Sequence, residues 1–264
     1  MGVFLIWPAL TVVYKTFFTE QGFAIDSIAR ALSGTYQQSF LLSSQLSIIS
    51  AILGGAIGFY LAVSIDKFPP GSRIRSAVQA WSAVASQMGG VPLAFAFLAL
   101  LGSQGLATRI LSEFGVDLME LGFSLSSFWG WVFVYLYFQI PLMFLIISPA
   151  LTAMKPEWRE GAQSLGSSNA HYWLRVGLPI LSPVIITGIL LLFVNAFSAY
   201  ATVYALSSSG GQLVPLQIRF ILQGNVITGE QDLGYALVTV TMILLAVAMV
   251  AINLLQRRFA RWSE

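Results

Sequence analysis

His171 is the only histidine of the chain and cysteine is absent, so no histidine-based metal site, catalytic triad or thiolate ligand set can be assembled from it. The other ionisable groups, 11 carboxylates and 13 lysines or arginines, gather in the polar segments. None lies near the middle of an apolar run, where a charge would signal a proton relay or ion coupling; Lys15 is close enough to an end to snorkel. None of Lys15, Lys67 and Lys155 follows a glycine, so the phosphate-cradling G-x-x-x-x-G-K-[ST] is missing too. Neither covalent chemistry nor nucleotide binding is expected of this chain, nor a metal or cofactor of its own. What it does hold at informative spacing is a charged amphipathic segment, Lys155 to Pro179, set between two long apolar runs.

That segment reads as two short helices joined at a glycine. Pro156 suits a first helical turn, and Glu157 and Glu160 sit near its positive end. Gly166 can take the left-handed conformation that ends a helix; Ser167 or Ser168 can cap the next, which Pro179 is expected to stop. Trp158, Ala162 and Leu165 share one face of the first unit, and Tyr172, Trp173 and Val176 one face of the second. Two exposed, half-apolar helices in water call for a partner groove.

The order Glu160-Gly161-Ala162, then Gly166, then nine residues, then Val176-Gly177-Leu178-Pro179 resembles the EAA loop of the transmembrane permease subunits of binding-protein-dependent ABC importers. The resemblance implies that the first helix docks into a cleft of a cytoplasmic ATPase, with coupling roles for Glu160, Gly161, Ala162, Gly166, Leu178 and Pro179. The sequence departs from the usual pattern at Gly161, where alanine is usual, and at Val176, where isoleucine is usual. Gly161 costs up to about 1 kcal/mol of helix propensity relative to alanine. Also implied are the type I ABC importer permease fold, as one transmembrane permease domain over residues 1–264, and a second permease subunit in a homo- or heterodimer. Two ABC ATPase subunits binding ATP and Mg, an extracytoplasmic solute-binding protein and a multi-pass place in the bacterial inner membrane complete the expectation; nucleic acid has no part in it. The run NAFSAYATVYAL, Asn195–Leu206, followed by GGQLVPLQI, is similar to spermidine/putrescine-type permeases and points to a polyamine-like solute. Ferric-ion, thiamine, sulfate and phosphonate systems, which have related subunits, stay open as alternatives, as does an ion-coupled secondary transporter.

The residue content agrees with an all-α membrane protein: 57% of residues are hydrophobic, 9% are charged, and the mean hydropathy is +0.80. Six apolar segments can be drawn, roughly 2–18, 40–65, 78–101, 128–150, 180–206 and 233–255. The first reads as a span rather than a cleavable signal, having no basic lead and no small-residue cleavage site. Nine basic residues (Lys67, Arg73, Arg75, Lys155, Arg159, Arg175, Arg257, Arg258 and Arg261) fall on one side, against Lys15, Arg30, Arg109 and Arg219 on the other. The positive-inside rule then places both termini and the 155–179 loop in the cytoplasm. The opposite loops carry Glu20, Asp26, Glu113, Asp117, Glu120, Glu230 and Asp232, either a docking surface or ordinary solvated charge. Leu213–Leu222 is half apolar and is expected to lie along the membrane surface.

Within the spans, Gly54 and Gly58 form a GxxxG pair that favours close helix packing, within the subunit or between subunits. Met88-Gly89-Gly90-Val91-Pro92 and Gln139-Ile140-Pro141 should interrupt backbone hydrogen bonding. Gln87, Gln139 and Asn195, with Tyr137 and Tyr200 as aromatic faces for a cationic solute, are the candidate lining of a solute pathway. Helix-to-helix bonding is the other reading of each.

Overall fold

The computed structural model describes residues 2–19, 22–23, 26–207, 212–223 and 231–260. Glu20, Glu230 and Arg261 lie outside the described residues, as do the side chains of Arg257 and Arg258. The chain is helical apart from one ribbon among the described residues, in which β1 (Phe18–Thr19) pairs antiparallel with β2 (Gly22–Phe23). It follows α1 (Gly2–Phe17) and leads to α2 (Asp26–Ala31). The first expected span is thus a helix, but its 16 residues reach only roughly 24 Å at 1.5 Å each.

The core is built from three long helices: α3 (Gly34–Asp66), α7 (Phe128–Thr152) and α10 (Leu178–Ser198). Small residues set their spacing. A side chain on Gly54 would come within 2.6 Å of Gln139 Cβ, and one on Gly58 within 2.6 Å of the Ile140 carbonyl oxygen. Gly55 faces Ile189 of α10 at 3.1 Å from the position of a Cβ. The GxxxG pair is therefore used inside the subunit, where it brings α3 against α7. Around this contact Met143, Phe144, Ile147, Leu181 and Leu192 form one buried cluster, and Leu46, Leu93, Tyr135, Val203 and Leu216 belong to another.

The third expected span, 78–101, is interrupted where Met88-Gly89-Gly90-Val91-Pro92 was expected to break its hydrogen bonding. It divides into α4 (Arg73–Ala85) and α5 (Val91–Leu101), and a short α6 (Leu106–Glu113) follows. Gly90, at φ 79° and ψ −152°, adopts a backbone reserved for glycine, and Pro92 then lies in the first turn of α5, where its missing N–H costs nothing. The apolar stretch long enough to cross a bilayer is instead Val91–Glu113. By contrast α7 continues as one helix through Pro141, whose missing N–H leaves one gap in its bonding ladder. The fifth span also breaks: α10 ends at Ser198 and α11 (Ala201–Leu206) restarts after two residues.

On the far side of the core, α12 (Val214–Leu222) does not turn its apolar face to the membrane surface. Val214, Leu216 and Ile221 are buried in the protein, and Ser43 Oγ of α3 accepts from the Val214 N–H at 2.9 Å. Ile221 packs in a third cluster with Ala31 and with Leu233, Ala236 and Leu237 of α13 (Gln231–Ala260). A buried Thr16–Thr239 hydroxyl pair at 2.7 Å, with Lys15 5.1 Å above the Tyr235 ring, ties α1 to α13. Among the described residues five helical stretches are long and apolar enough to span, rather than the six expected.

Candidate functional site

The hairpin between α7 and α10 is built as its residues dictate. Helix α8 (Pro156–Ser164) starts with Pro156 in its first turn and Glu157 beside its positive end. It closes on Gly166 at φ +77°, with the Gly166 N–H donating to the Gln163 carbonyl at 2.9 Å and the Ser167 N–H to the Ala162 carbonyl at 3.0 Å. This pair of bonds is the Schellman closure, which needs a left-handed residue at the position of Gly166. Ser168 then caps α9 (Asn169–Tyr172) by accepting from the His171 N–H at 3.2 Å. His171 itself is exposed, as expected of a surface residue.

The chain does not stop at Pro179. It passes through a π turn, Trp173–Gly177, straight into α10, where Pro179 occupies the first turn. A proline at a helix start and one just past a helix end read alike locally, and here the tertiary packing selects the start. The π turn seats Trp173 over Gly177, where a Cβ would come within 2.6 Å of the indole, and Trp173 meets Phe59 of α3 edge-on at 6.2 Å. Tyr172 is buried beside it.

The two halves of the hairpin are thus unequal. The second is rooted in the core through Tyr172, Trp173 and Gly177. The first, α8, buries no residue at all; Trp158 is 40% and Leu165 89% exposed. Glu160 is exposed and, among the described residues, makes no ion pair. The position of a Cβ on Gly161 meets nothing within 4 Å. What joins the arms is Arg159 Nη2, donating to Asn169 Oδ1 at 3.1 Å. Leu178 is half-buried at the root of α10.

The pathway candidates divide. The α4–α5 break and the α10–α11 break face each other: the Gly90 N–H donates to Thr202 Oγ1 at 2.8 Å, and the Tyr135 hydroxyl donates to the Ala199 carbonyl. Gln87 is exposed at the first break. Tyr137 reaches the same place, its hydroxyl 4.0 Å from Met88 Sδ and its ring edge-on to Phe97 at 5.8 Å. Asn195 is half-buried on α10, about one turn before the second break. Gln139 does not join them. It is 0% exposed, wedged against Gly54, with its Nε2 donating to Ser50 Oγ at 3.1 Å, so it serves helix packing. Tyr200 stays partly exposed, and a cation of the chain itself lies near it: Arg219 of α12 is 5.9 Å from its ring and 4.2 Å from that of Tyr204. Thr202, Ser50 and Arg219 are the residues that sequence reasoning passed over. Their partners are far away along the chain, and only the Gly89-Gly90 pair flagged the place.

The family model of the binding-protein-dependent transport system inner membrane component matches residues 54–264. Among similar proteins, a probable sulfate transport system permease protein cysT of Nephroselmis olivacea is 26% identical over 97% of this chain and 86% of its own length. The sulfate transport system permease protein CysT of Salmonella typhimurium is 25% identical over 81% and 74%. A putative ferric transport system permease protein FbpB 1 of Haemophilus influenzae is 23% identical over 84% of this chain, which spans only 34% of that longer protein. In structure, a bacterial ABC transporter involved in the import of the acidic polysaccharide alginate superposes at a TM-score of 0.74 and 18% identity, covering 100% of this chain and 92% of that one. A bacterial alginate ABC transporter in complex with alginate pentasaccharide-bound periplasmic protein gives 0.75 at 19% identity, covering 97% and 90%. Those likenesses show the ABC importer permease fold, and none of these proteins is a polyamine permease. With the family model reaching from the middle of α3 to the last residue, the chain belongs to the binding-protein-dependent transport system inner membrane components, the transmembrane permease subunits of ABC importers.

Proposed function

We propose that this permease subunit forms half of a solute pathway across a bacterial inner membrane, with both termini in the cytoplasm, and that α8 is the part a partner ATPase moves. The observation that carries the reading is the inequality of the hairpin, one arm rooted in the α3–α7–α10 core and the other, carrying Glu160, buried nowhere. A helix that buries nothing of its own, with Trp158 and Leu165 exposed, has the form of a groove ligand. The assembly is a pair of permease subunits, two ATPases that bind ATP and Mg, and an extracytoplasmic binding protein. Closure of the ATPases draws the two α8 arms together and rocks the spans between inward- and outward-facing states.

For the solute we propose a small oxyanion of the sulfate kind rather than a polyamine. The names of the relatives support it, and so does charge: the ionised group packed beside the α10–α11 break is Arg219, not a carboxylate. The test is to purify the tagged chain, identify the ATPase and binding protein that accompany it, and load that binding protein with sulfate, ferric ion or spermidine. Sulfate is the expected ligand, and exclusive binding of either cation refutes the oxyanion reading. Glu160→Lys is expected to release the ATPase while membrane insertion stays normal; a full complement of ATPase on that variant refutes the docking role. A thiol introduced by S168C is expected to react from the cytoplasmic side only.

A further inference from the structure

Where the C-terminal ends of α3 and α7 meet the base of the hairpin lies a cavity of about 350 Å³. Phe59 and Val63, one helical turn apart on α3, and Leu151 of α7 give it an apolar wall. Lys67, just past the end of α3, and Arg159 of α8 give it two cations. Its carboxylate, Asp66, is already matched by Arg75 Nη2 at 3.4 Å, and that nitrogen also donates to Thr152 Oγ1 at 2.9 Å. Asn169 accepts from one arm of the Arg159 guanidinium and holds it in place, leaving further N–H groups to spare. Among the described residues no carboxylate pairs with Lys67 or Arg159. The crevice next to it adds Lys155 and Glu160, which offset each other.

The pocket is therefore cationic on one account and oily on another, and it sits where two long apolar helices end. Basic pockets between membrane helices at that level hold anionic lipid headgroups. We infer that this cavity binds the headgroup phosphate of an anionic phospholipid, seated on Lys67 and Arg159, with the top of an acyl chain against Phe59, Val63 and Leu151. A free phosphate would use the cations and leave the apolar wall bare. Bound there, the lipid bridges α3, α7 and α8, so the stiffness of the arm's root depends on the charge of the surrounding leaflet. Which leaflet that is rests on the orientation proposed above; the chemistry of the pocket does not.

The experiment is native mass spectrometry of the full chain with its partner subunits in neutral detergent, titrated with short-chain phosphatidylglycerol. One lipid per chain is expected to be retained, phosphatidylcholine is not, and inorganic phosphate does not displace it. The double variant K67Q/R159Q is expected to bind about thirty-fold more weakly, the worth of two basic groups at an anionic surface. Val63→Trp fills the apolar wall with both charges intact and is expected to lose the lipid as well; the mass of the assembled complex shows that each variant has folded. Equal retention of phosphatidylglycerol by wild type and K67Q/R159Q overturns the inference, as does equal retention of the two lipids. Displacement by phosphate, with Val63→Trp unaffected, assigns the pocket to a free anion instead. The same spectra report the ATPase, so loss of lipid specificity with the ATPase retained overturns this inference alone, and the reverse overturns only the docking role.

Discussion

Replacing Gly166 by valine puts a β-branched side chain on a backbone held at φ +77°. An L-residue in that region costs roughly 1–2 kcal/mol, and a β-branched one lies at the upper end. Nothing lies within 4 Å of the position of a Cβ on Gly166, so the cost is conformational and no neighbour has to move. The chain can relieve it by opening the turn, which gives up the bonds from Ser167 N to Ala162 O and from Gly166 N to Gln163 O. The remaining tie between the arms is the exposed Arg159–Asn169 bond, worth about 0.5–1.5 kcal/mol, and it does not restore the turn geometry. A change of about 2 kcal/mol shifts the closed hairpin roughly thirty-fold toward open forms. In proteoliposomes with the partner ATPase, solute uptake per ATP hydrolysed is expected to fall, while insertion and thermal midpoint, set by the α3–α7–α10 core, stay near wild type. Asparagine, which tolerates the left-handed region, should fall between glycine and valine. Wild-type coupling in the valine variant, with the turn resistant to protease, refutes the argument that the Gly166 closure sets the position of α8.

Gly161→Ala moves the other way: the site is open, so the variant is expected to gain up to about 1 kcal/mol of helix stability and to show slower proteolysis across α8. Gly54→Val drives a side chain into Gln139 and is expected to cost about 1–3 kcal/mol, read as a lower thermal midpoint of the purified subunit. Thr202→Val removes the acceptor of the Gly90 N–H and leaves that donor unmet, at about 1–3 kcal/mol. Hydrogen exchange should rise over residues 86–92, and an unchanged exchange rate there would contradict the latch between the two breaks.

The hairpin between α7 and α10 was legible because its signals are local. Pro156, Gly166 and Ser168 each act within four residues, and all three do what their chemistry predicts. The GxxxG pair was legible as a close-packing face, though its partner was not. Elsewhere long-range contacts decided. The break between α4 and α5 falls at the Met88–Pro92 stretch expected to interrupt the third span, while its partner Thr202, 112 residues later, has no trace in the periodicity. Of the two readings open for Gln139, its contacts with Ser50 and Gly54 on α3 favour helix-to-helix bonding, a choice its polarity alone does not make. Half-apolar α12 met both α3 and α13 and so buried the face that a membrane surface would otherwise have taken. Pro179 carried the same local meaning for a start and for a stop, and the seating of Trp173 against Phe59 of α3 favours the start.

Because the π turn runs from Trp173 directly into α10 with no intervening loop, the second arm of the hairpin and α10 form one continuous helical rod. That rod is held against the core where Ile189 comes 3.1 Å from the Cβ position of Gly55 and where the Cβ position of Gly188 comes 2.7 Å from Met143 Sδ, and it ends at the break latched to Gly90 by Thr202. On the proposed reading, a displacement at the root of the hairpin is carried by this rod to the two facing breaks at its other end.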